Sequence, residues 1–196
     1  MSPYLDNFVT DYLDDILIYS TNLQWHQDQV KNILVALTKY GLYLKPHKCE
    51  FHGQNVKYLW LIVGVEGIKM DQAKVESIKK WSTPERLRDV GAFLEFTIFY
   101  LRFIKGYFEI IKPMRLLTQK GRSFEWEKEQ KQAFDGLKEA FTMAPLLARF
   151  DFECDVVVEI DASDDLSARI LSQYNDQGIL YLVAFFSKKH ASAECN

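Results

Sequence analysis

Apolar and aromatic side chains flank two adjacent acids near the start of the chain, in Phe8-Val9-Thr10-Asp11-Tyr12-Leu13-Asp14-Asp15-Ile16-Leu17-Ile18-Tyr19-Ser20. The flanks favour β structure and Asp favours turns, so the run predicts strand, tight turn, strand, with both carboxylates at the tip. From Ser20 to Gly41 the period becomes helical. Val30, Ile33, Leu34 and Leu37 face inward, Ser20, Thr21 and Asn22 offer N-caps, and Gly41 offers a stop. Leu42 to Phe51 predicts an extended segment that Pro46 keeps out of a helix. Val56 to Gly64 and Val65 to Lys69 predict a second hairpin with its turn near Glu66-Gly67. A helix capped by Asp71 and carrying Val75, Ile78 and Trp81 comes next. Thr83-Pro84 then marks a boundary and a new helix, with Pro at its first position and a stripe of Leu87, Val90, Leu94 and Leu101. Residues 127–141 predict another helix with Ala133, Phe134, Leu137 and Phe141 inward. Val156 to Asp164 reads as a strand ending in acid, and Tyr181 to Lys189 as the third strand of a final sheet. The fold class is α+β.

Composition narrows this only a little. The 196 residues suit one or two domains, and 48% hydrophobic content suits a folded chain. A formal charge of −3 argues against a globally basic nucleic-acid binder but leaves room for a basic patch. Cys49, Cys154 and Cys195 are far apart and odd in number, which fits unpaired thiols in a reducing compartment. No apolar run is long enough to span a bilayer, and Met1 does not lead into a basic-then-apolar signal. The expectation is therefore an intracellular protein with no membrane or disulfide partner.

The acidic tip carries the candidate chemistry. Asp14 and Asp15 repel each other and gain nothing from packing, which suits a hard cation such as Mg²⁺ held by carboxylates and substrate phosphates. The alternative is an ordinary acidic hairpin turn. Asp11 shares a strand face with Val9 and Leu13, where an apolar residue is expected. His47, Cys49 and His52 crowd together, but a structural zinc site needs four ligands and no fourth lies nearby.

Tyr12-Leu13-Asp14-Asp15-Ile16-Leu17-Ile18-Tyr19-Ser20 resembles the Y-x-D-D box of reverse transcriptases, in the form carried by gypsy-type LTR retrotransposons. The resemblance extends over nearly the whole chain. Leu42 to Phe51 resembles the family's L-x-L-x-x-x-K-C-x-F segment. Val56 to Ile68 resembles F-L-G-x-x-V-x-x-x-G-I, the hairpin beside the primer strand, with Trp60 where the family has Gly. Phe93 to Ile104 resembles the thumb motif F-L-G-x-x-N-[FY]-Y-R-[RK]-F-I, with Glu95, Ile98 and Leu101 departing from it. Ile111 to Thr118 ends the thumb, and Phe124 to Leu147 resembles the connection to RNase H. Val156 to Asp164 matches the opening of the RNase H fold, T-D-A-S-D, after which Leu166, Ala168 and Arg169 replace small residues. Ala193-Glu194-Cys195-Asn196 resembles the A-E-x-N before its first helix.

The resemblance implies a palm remnant over 1–70, a helical thumb over 71–121, a connection over 122–150 and the start of an RNase H-like domain over 151–196, a truncated three-stranded antiparallel sheet. It implies Asp14, Asp15 and Asp161 as catalytic and metal-binding carboxylates for Mg²⁺ or Mn²⁺. It implies Tyr12, Tyr58, Leu59 and Trp60 as nucleic-acid-binding residues, the last three on the hairpin beside the primer strand. Lys74, Lys79, Lys80, Arg102 and Lys105, with Lys112 and Arg115, are thumb cations for phosphates. The implied partners are an RNA/DNA primer–template duplex, dNTP and the rest of a polyprotein. Residues 1–11 hold neither the third polymerase carboxylate nor the fingers, and only one of four nuclease acids has a match. The expectation is weak metal binding and no activity from these residues alone. Two alternatives stand beside it: a non-catalytic nucleic-acid-binding module using the thumb helices, and a subunit lending Asp14 and Asp15 to a partner chain. The final sheet, without its covering helix, is expected to expose one apolar face.

Overall fold

The computed structural model describes residues 4–5, 7–162 and 166–190. The chain divides into two compact units, Met1–Val65 and Glu66–Asn196.

In the first unit, β1 (Val9–Tyr12) and β2 (Asp15–Ile18) pair antiparallel, with Val9 opposite Ile18 and Tyr12 opposite Asp15. The next element, α1, spans Leu23–Lys39. Of the three offered caps, Asn22 serves: its Oδ1 accepts from the Gln24 amide at 2.8 Å and the Trp25 amide at 3.2 Å. Gly41 ends the helix at φ 71°. Its amide donates to the Thr38 carbonyl, and that of Leu42 to the Leu37 carbonyl, both at 3.0 Å, satisfying carbonyls the last turn leaves open. Ile33 and Leu37 are buried on Val9, ringed by Tyr4, Leu5, Phe8, Ile16 and Ile18. Leu34, expected inward, is exposed beside Val35, because a two-stranded hairpin is too narrow to cover a wider stripe of the helix.

Two expectations fail in the rest of this unit. Residues 42–51 form no strand. They hold a short 3-10 turn at Pro46–Lys48, and Leu42, Tyr43 and Leu44 stay exposed. A strand needs a hydrogen-bonded neighbour, and none pairs with this segment among the described residues. The turn expected near Glu66-Gly67 is present at Val65-Glu66, but Val56 to Gly64 ahead of it is not one strand; it is a complete hairpin, β3 (Asn55–Tyr58) and β4 (Leu61–Gly64), with Tyr58 opposite Leu61. Its two turn residues, Leu59 at φ 48° and Trp60 at φ 61°, are both left-handed. That is the turn geometry two-residue hairpins favour, here without the usual Asn or Gly.

The second unit opens with β5 (Gly67–Met70), where Ile68 exchanges backbone hydrogen bonds of 2.7 and 2.9 Å with Leu147. Gly67 is required there. It sits at φ 141°, and a Cβ would lie 2.3 Å from the Leu147 carbonyl oxygen. Asp71 caps α2 (Gln72–Lys79) through the Ala73 amide at 3.1 Å, as expected. The next helix, α3 (Leu87–Ile98), starts later than predicted and leaves Pro84 buried ahead of it. The Asp89 carboxylate accepts from the Glu85 amide at 3.2 Å and the Arg86 Nε at 3.1 Å, ordering that entry. Val90, Phe93 and Thr97 form the buried stripe, whereas Leu87 is exposed. A 3-10 turn at Leu101–Phe103, then α4 (Tyr107–Ile110) and α5 (Lys112–Leu117), follow. The predicted helix is α6 (Lys128–Thr142), with Ala133, Phe134, Leu137 and Phe141 all buried. Aromatic rings knit these helices together: Trp81 to Phe93 at 5.5 Å, Phe93 to Phe134 at 4.6 Å and Tyr100 to Phe141 at 5.7 Å.

The final sheet is antiparallel in the order β6 (Val156–Ala162), β7 (Leu166–Tyr174), β8 (Leu180–Lys189). Strand β8 lies against α4 and the 3-10 turn before it, where the Phe108 amide donates to Ser187 Oγ at 3.3 Å. At the other end the Ala148 amide donates to the Leu182 carbonyl at 2.7 Å. Gln173 is buried and bonds both ways with Asp151, through its Oε1 at 2.9 Å and its Nε2 at 2.6 Å. On the face away from Ser187, the apolar side chains Val156, Val158, Ile160 and Phe186 are exposed. Arg169 belongs to that face and lies over the Phe186 ring at 5.5 Å.

Candidate functional site

The carboxylates sit on a turn whose backbone is unusual. Between Tyr12 and its partner Asp15 only Leu13 and Asp14 remain, and Leu13 takes φ 53° with its side chain 89% exposed. A left-handed residue with a Cβ costs about 1–2 kcal/mol, and here no buried contact of Leu13 offsets it. The result is a sharp tip on which Tyr12, Leu13, Asp14 and Asp15 all face solvent. Among the described residues neither acid is paired with a cation. Asp11 is exposed as well, but it stands opposite Ile16, whereas Asp15 stands opposite Tyr12. Strand alternation puts Asp11 and Asp15 on opposite faces, so Asp11 does not extend the pair.

Among the described residues no group of three His, Cys, Asp or Glu side chains converges to hold a metal. His47, Cys49 and His52 accordingly form no zinc cluster, and the Cys49 thiol donates to the Lys45 carbonyl at 3.4 Å. Asp161 is exposed on β6, opposite Ala168 and on the face that carries Glu159. The neighbouring matches Ser163 to Asp165 and Ala193 to Asn196 lie outside the described residues.

The remaining sequence candidates fall into distinct states. Trp60 is 58% exposed at the tip of its turn, and Tyr58 and Leu59 are half-buried beside it. On α2 the Lys74 ammonium lies 5.8 Å from the Phe96 ring centre. Lys79 Nζ pairs with the Glu76 carboxylate at 3.0 Å, and this hydrogen bond and charge hold Glu76 below the usual carboxylate range. Both lysines thus already have partners within the unit. Lys80, Arg102, Lys105 and Lys112 are exposed, and Arg115 is half-buried with its guanidinium 6.0 Å from the Phe108 ring. Glu95 is exposed, so the charge in place of the family's Gly disturbs no packing on α3. Ile98 is exposed and Leu101 half-buried.

Sequence reasoning missed two polar contacts. Thr97 is fully buried with its Oγ1 2.8 Å from the Tyr107 hydroxyl, which also donates to the Leu94 carbonyl at 3.4 Å. Burial raises the Tyr107 hydroxyl to about 12 although the Thr97 contact opposes it, and burial followed by the Asp71 charge raises Tyr100 to about 12. The other contact brings His26 within 5.7 Å of His52, ring centre to ring centre.

Residues 1–63 match the reverse transcriptase (RNA-dependent DNA polymerase) family, and residues 126–196 match the RNase H-like domain found in reverse transcriptase. The Tf2-3 and Tf2-7 transposon polyproteins of Schizosaccharomyces pombe are 30% and 29% identical over 191 residues. The match covers 97% of this chain, which spans 14% of the length of those polyproteins. The foamy viral protease-reverse transcriptase in complex with RNA/DNA hybrid superimposes with TM-score 0.79 at 22% identity, covering 96% of this chain and 26% of that one. The same viral protein in complex with dsDNA also gives 0.79, at 21% identity, covering 98% and 40%.

Proposed function

We propose, for a chain that belongs to the reverse transcriptase/RNase H segment of gypsy-type LTR retrotransposon polyproteins, that Asp14 and Asp15 are its carboxylate ligands for nucleotidyl transfer. The observation that carries this is a pair of adjacent, exposed acids, paired with no cation among the described residues, at the tip of a strained two-residue turn. Their donor set fits a hard divalent ion in part: both donors are carboxylate oxygens, and further ligands come from substrate phosphates and from outside these residues. A bound Mg²⁺ or Mn²⁺ would supply charge neutralisation at the reacting phosphoryl group. The chain's own contribution is positional. The β1–β2 pairing fixes where the two acids stand, and α1 buries the hairpin's inner face so that the tip projects.

On this reading residues 1–70 are the end of a palm, 71–121 a thumb, 122–150 a connection, and 151–196 the opening of an RNase H-like domain in which Asp161 is a metal ligand. Trp60 with Tyr58 and Leu59 faces a primer strand. Lys80, Arg102 and Lys105 contact phosphates of an RNA/DNA primer–template, and dNTP is the substrate. Lys74 and Lys79 contribute less, because each already has a partner, and this weakens the case for a purely binding module built on α2. Among the described residues no helix is long and apolar enough to cross a membrane. An intracellular site is supported by the unpaired thiols of Cys49 and Cys154.

Primer extension with Mg²⁺ or Mn²⁺ tests the assignment. The 196-residue chain alone should give no sustained synthesis, which would refute the expected incompleteness if it occurred. Joined to an upstream polymerase segment from a related polyprotein, the chain should extend a primer. Asp14→Asn or Asp15→Asn should then lower the rate on the order of a hundredfold or more. Undiminished extension by both variants would remove these residues from the chemistry.

A further inference from the structure

One cluster of side chains, around His26 and His52, stands outside the polymerase reading. Ser20 Oγ donates its single proton to the Gln29 side-chain oxygen, which can only accept. The same Oγ lies 3.1 Å from His26 Nδ1. The contact engages Nδ1 and orients the ring, as metal-binding histidines are oriented through the ring nitrogen that faces away from the ion.

The ring beyond belongs to His52, 5.7 Å away centre to centre and tilted 67°. With metal–nitrogen bonds of about 2.0–2.1 Å, each ring centre lies about 3.2 Å from the ion, and two rings at near-tetrahedral angles stand about 5–6 Å apart. The observed separation falls in that range. His26 is half-buried and His52 exposed, so a hydrated ion can reach both. His52 also holds φ 57°, a conformation uncommon for a residue with a Cβ.

We propose that His26 and His52 form a two-histidine clip for a borderline divalent cation such as Zn²⁺, with water completing the coordination. The clip ties the first turns of α1 to the segment ahead of β3. It differs from the His47, Cys49, His52 grouping that sequence proximity suggests, because the fold supplies His26 from α1. It also differs from the carboxylate tip, since imidazole prefers Zn²⁺ to Mg²⁺. It stands whether or not Asp14 and Asp15 act as proposed.

Calorimetric titration of the intact chain with Zn²⁺ in excess Mg²⁺ is the test, with folding followed by circular dichroism. One saturable equivalent is expected. His26→Gln should abolish it, and so should His52→Asn, a residue that tolerates left-handed backbone. Ser20→Ala should weaken it about tenfold by releasing the ring, and His47→Gln should leave it intact. Zinc should also raise the melting temperature of the wild-type chain and not of His26→Gln. No saturable binding by the wild type, binding that survives His26→Gln or His52→Asn, or binding lost with His47→Gln overturns the proposal.

Discussion

Among the described residues, the buried apolar side chains of Met1–Val65 are Val9, Ile33 and Leu37, whereas Glu66–Asn196 is threaded by Trp81, Phe93, Phe134, Tyr100 and Phe141 in ring-to-ring contact. The first unit exposes Tyr12, Leu13, Trp25, Val35, Tyr43 and Trp60 and carries the exposed acid pair Asp14 and Asp15. The second carries a deep aromatic core and a sheet docked on its own helices. Small units bury a smaller share of their surface and are correspondingly marginal. The acid pair proposed for nucleotidyl transfer is thus mounted on the thinner core, and the left-handed Leu13, Leu59 and Trp60 add strain where burial does least to offset it.

Core truncation breaks this contrast most directly. Phe134→Ala should cost about 3–5 kcal/mol and lower the urea midpoint of the second unit's transition. Ile33→Ala should cost about 2–5 kcal/mol and act on the first unit. Fluorescence of Trp25 and Trp60 against that of Trp81 and Trp126, in single-tryptophan variants, separates the two transitions. Equal shifts of all four reporters by either substitution would mean that the units unfold as one.

Alkali should act on the second unit. Tyr100 and Tyr107 are raised from 10.0 to about 12 in the folded state, Tyr107 by burial and Tyr100 by burial and the Asp71 charge. The folded chain therefore holds these protons more tightly than the unfolded chain. Their contribution is fully present below pH ~10 and is lost as pH rises through about 12. Urea melts between pH 9 and 12 should show the second unit's transition falling, and Tyr107→Phe should flatten that fall. A slope unchanged by Tyr107→Phe would detach the effect from this hydroxyl.

Legibility in the sequence followed the same division. Where spacing and punctuation agree, as in α6 with its four inward residues or α1 with Asn22 and Gly41, the chain's pattern sufficed. The carboxylate hairpin was legible because β-rich flanks bracket turn-forming acids. The Leu59-Trp60 turn was not, because Leu and Trp occupy its left-handed positions and neither is a turn-forming residue. The one hint was that the resembling family has Gly where Trp60 stands. The structure shows a backbone reason for a Gly at that position, since Trp60 holds φ 61°. Leu42 to Phe51 misled in the opposite way, since strand-like residues form no strand without a neighbour to pair with. The His26 and His52 contact depends on tertiary folding and leaves no local signature.

Relief of that turn strain sharpens the comparison on a smaller scale. Trp60→Gly frees a left-handed position from its Cβ and should stabilise the first unit by about 1 kcal/mol despite the entropy glycine adds to the unfolded chain. The indole is 58% exposed, so the contacts it gives up are set against the strain relieved. The first unit's urea midpoint should rise while the second's stays fixed. A fall would show that the indole's contacts outweigh its backbone strain.

The smallest expected effect is at the helix cap. Asn22→Ala removes the oxygen that accepts from Gln24 and Trp25 and should cost about 1 kcal/mol, whereas Asn22→Asp should retain the bonds and add a charge favourable at the helix N-terminus. In a unit whose buried apolar contacts are few, that loss is a large fraction of the whole. The Asn22→Ala variant should therefore show faster amide exchange throughout α1 and not only in its first turn. The matching substitution in the second unit, Asp71→Ala, removes a cap of the same kind from α2. There the aromatic core holds the helix, and exchange should quicken only near Ala73. If both variants produced only local changes, the first unit would be more cooperative than its thin core implies.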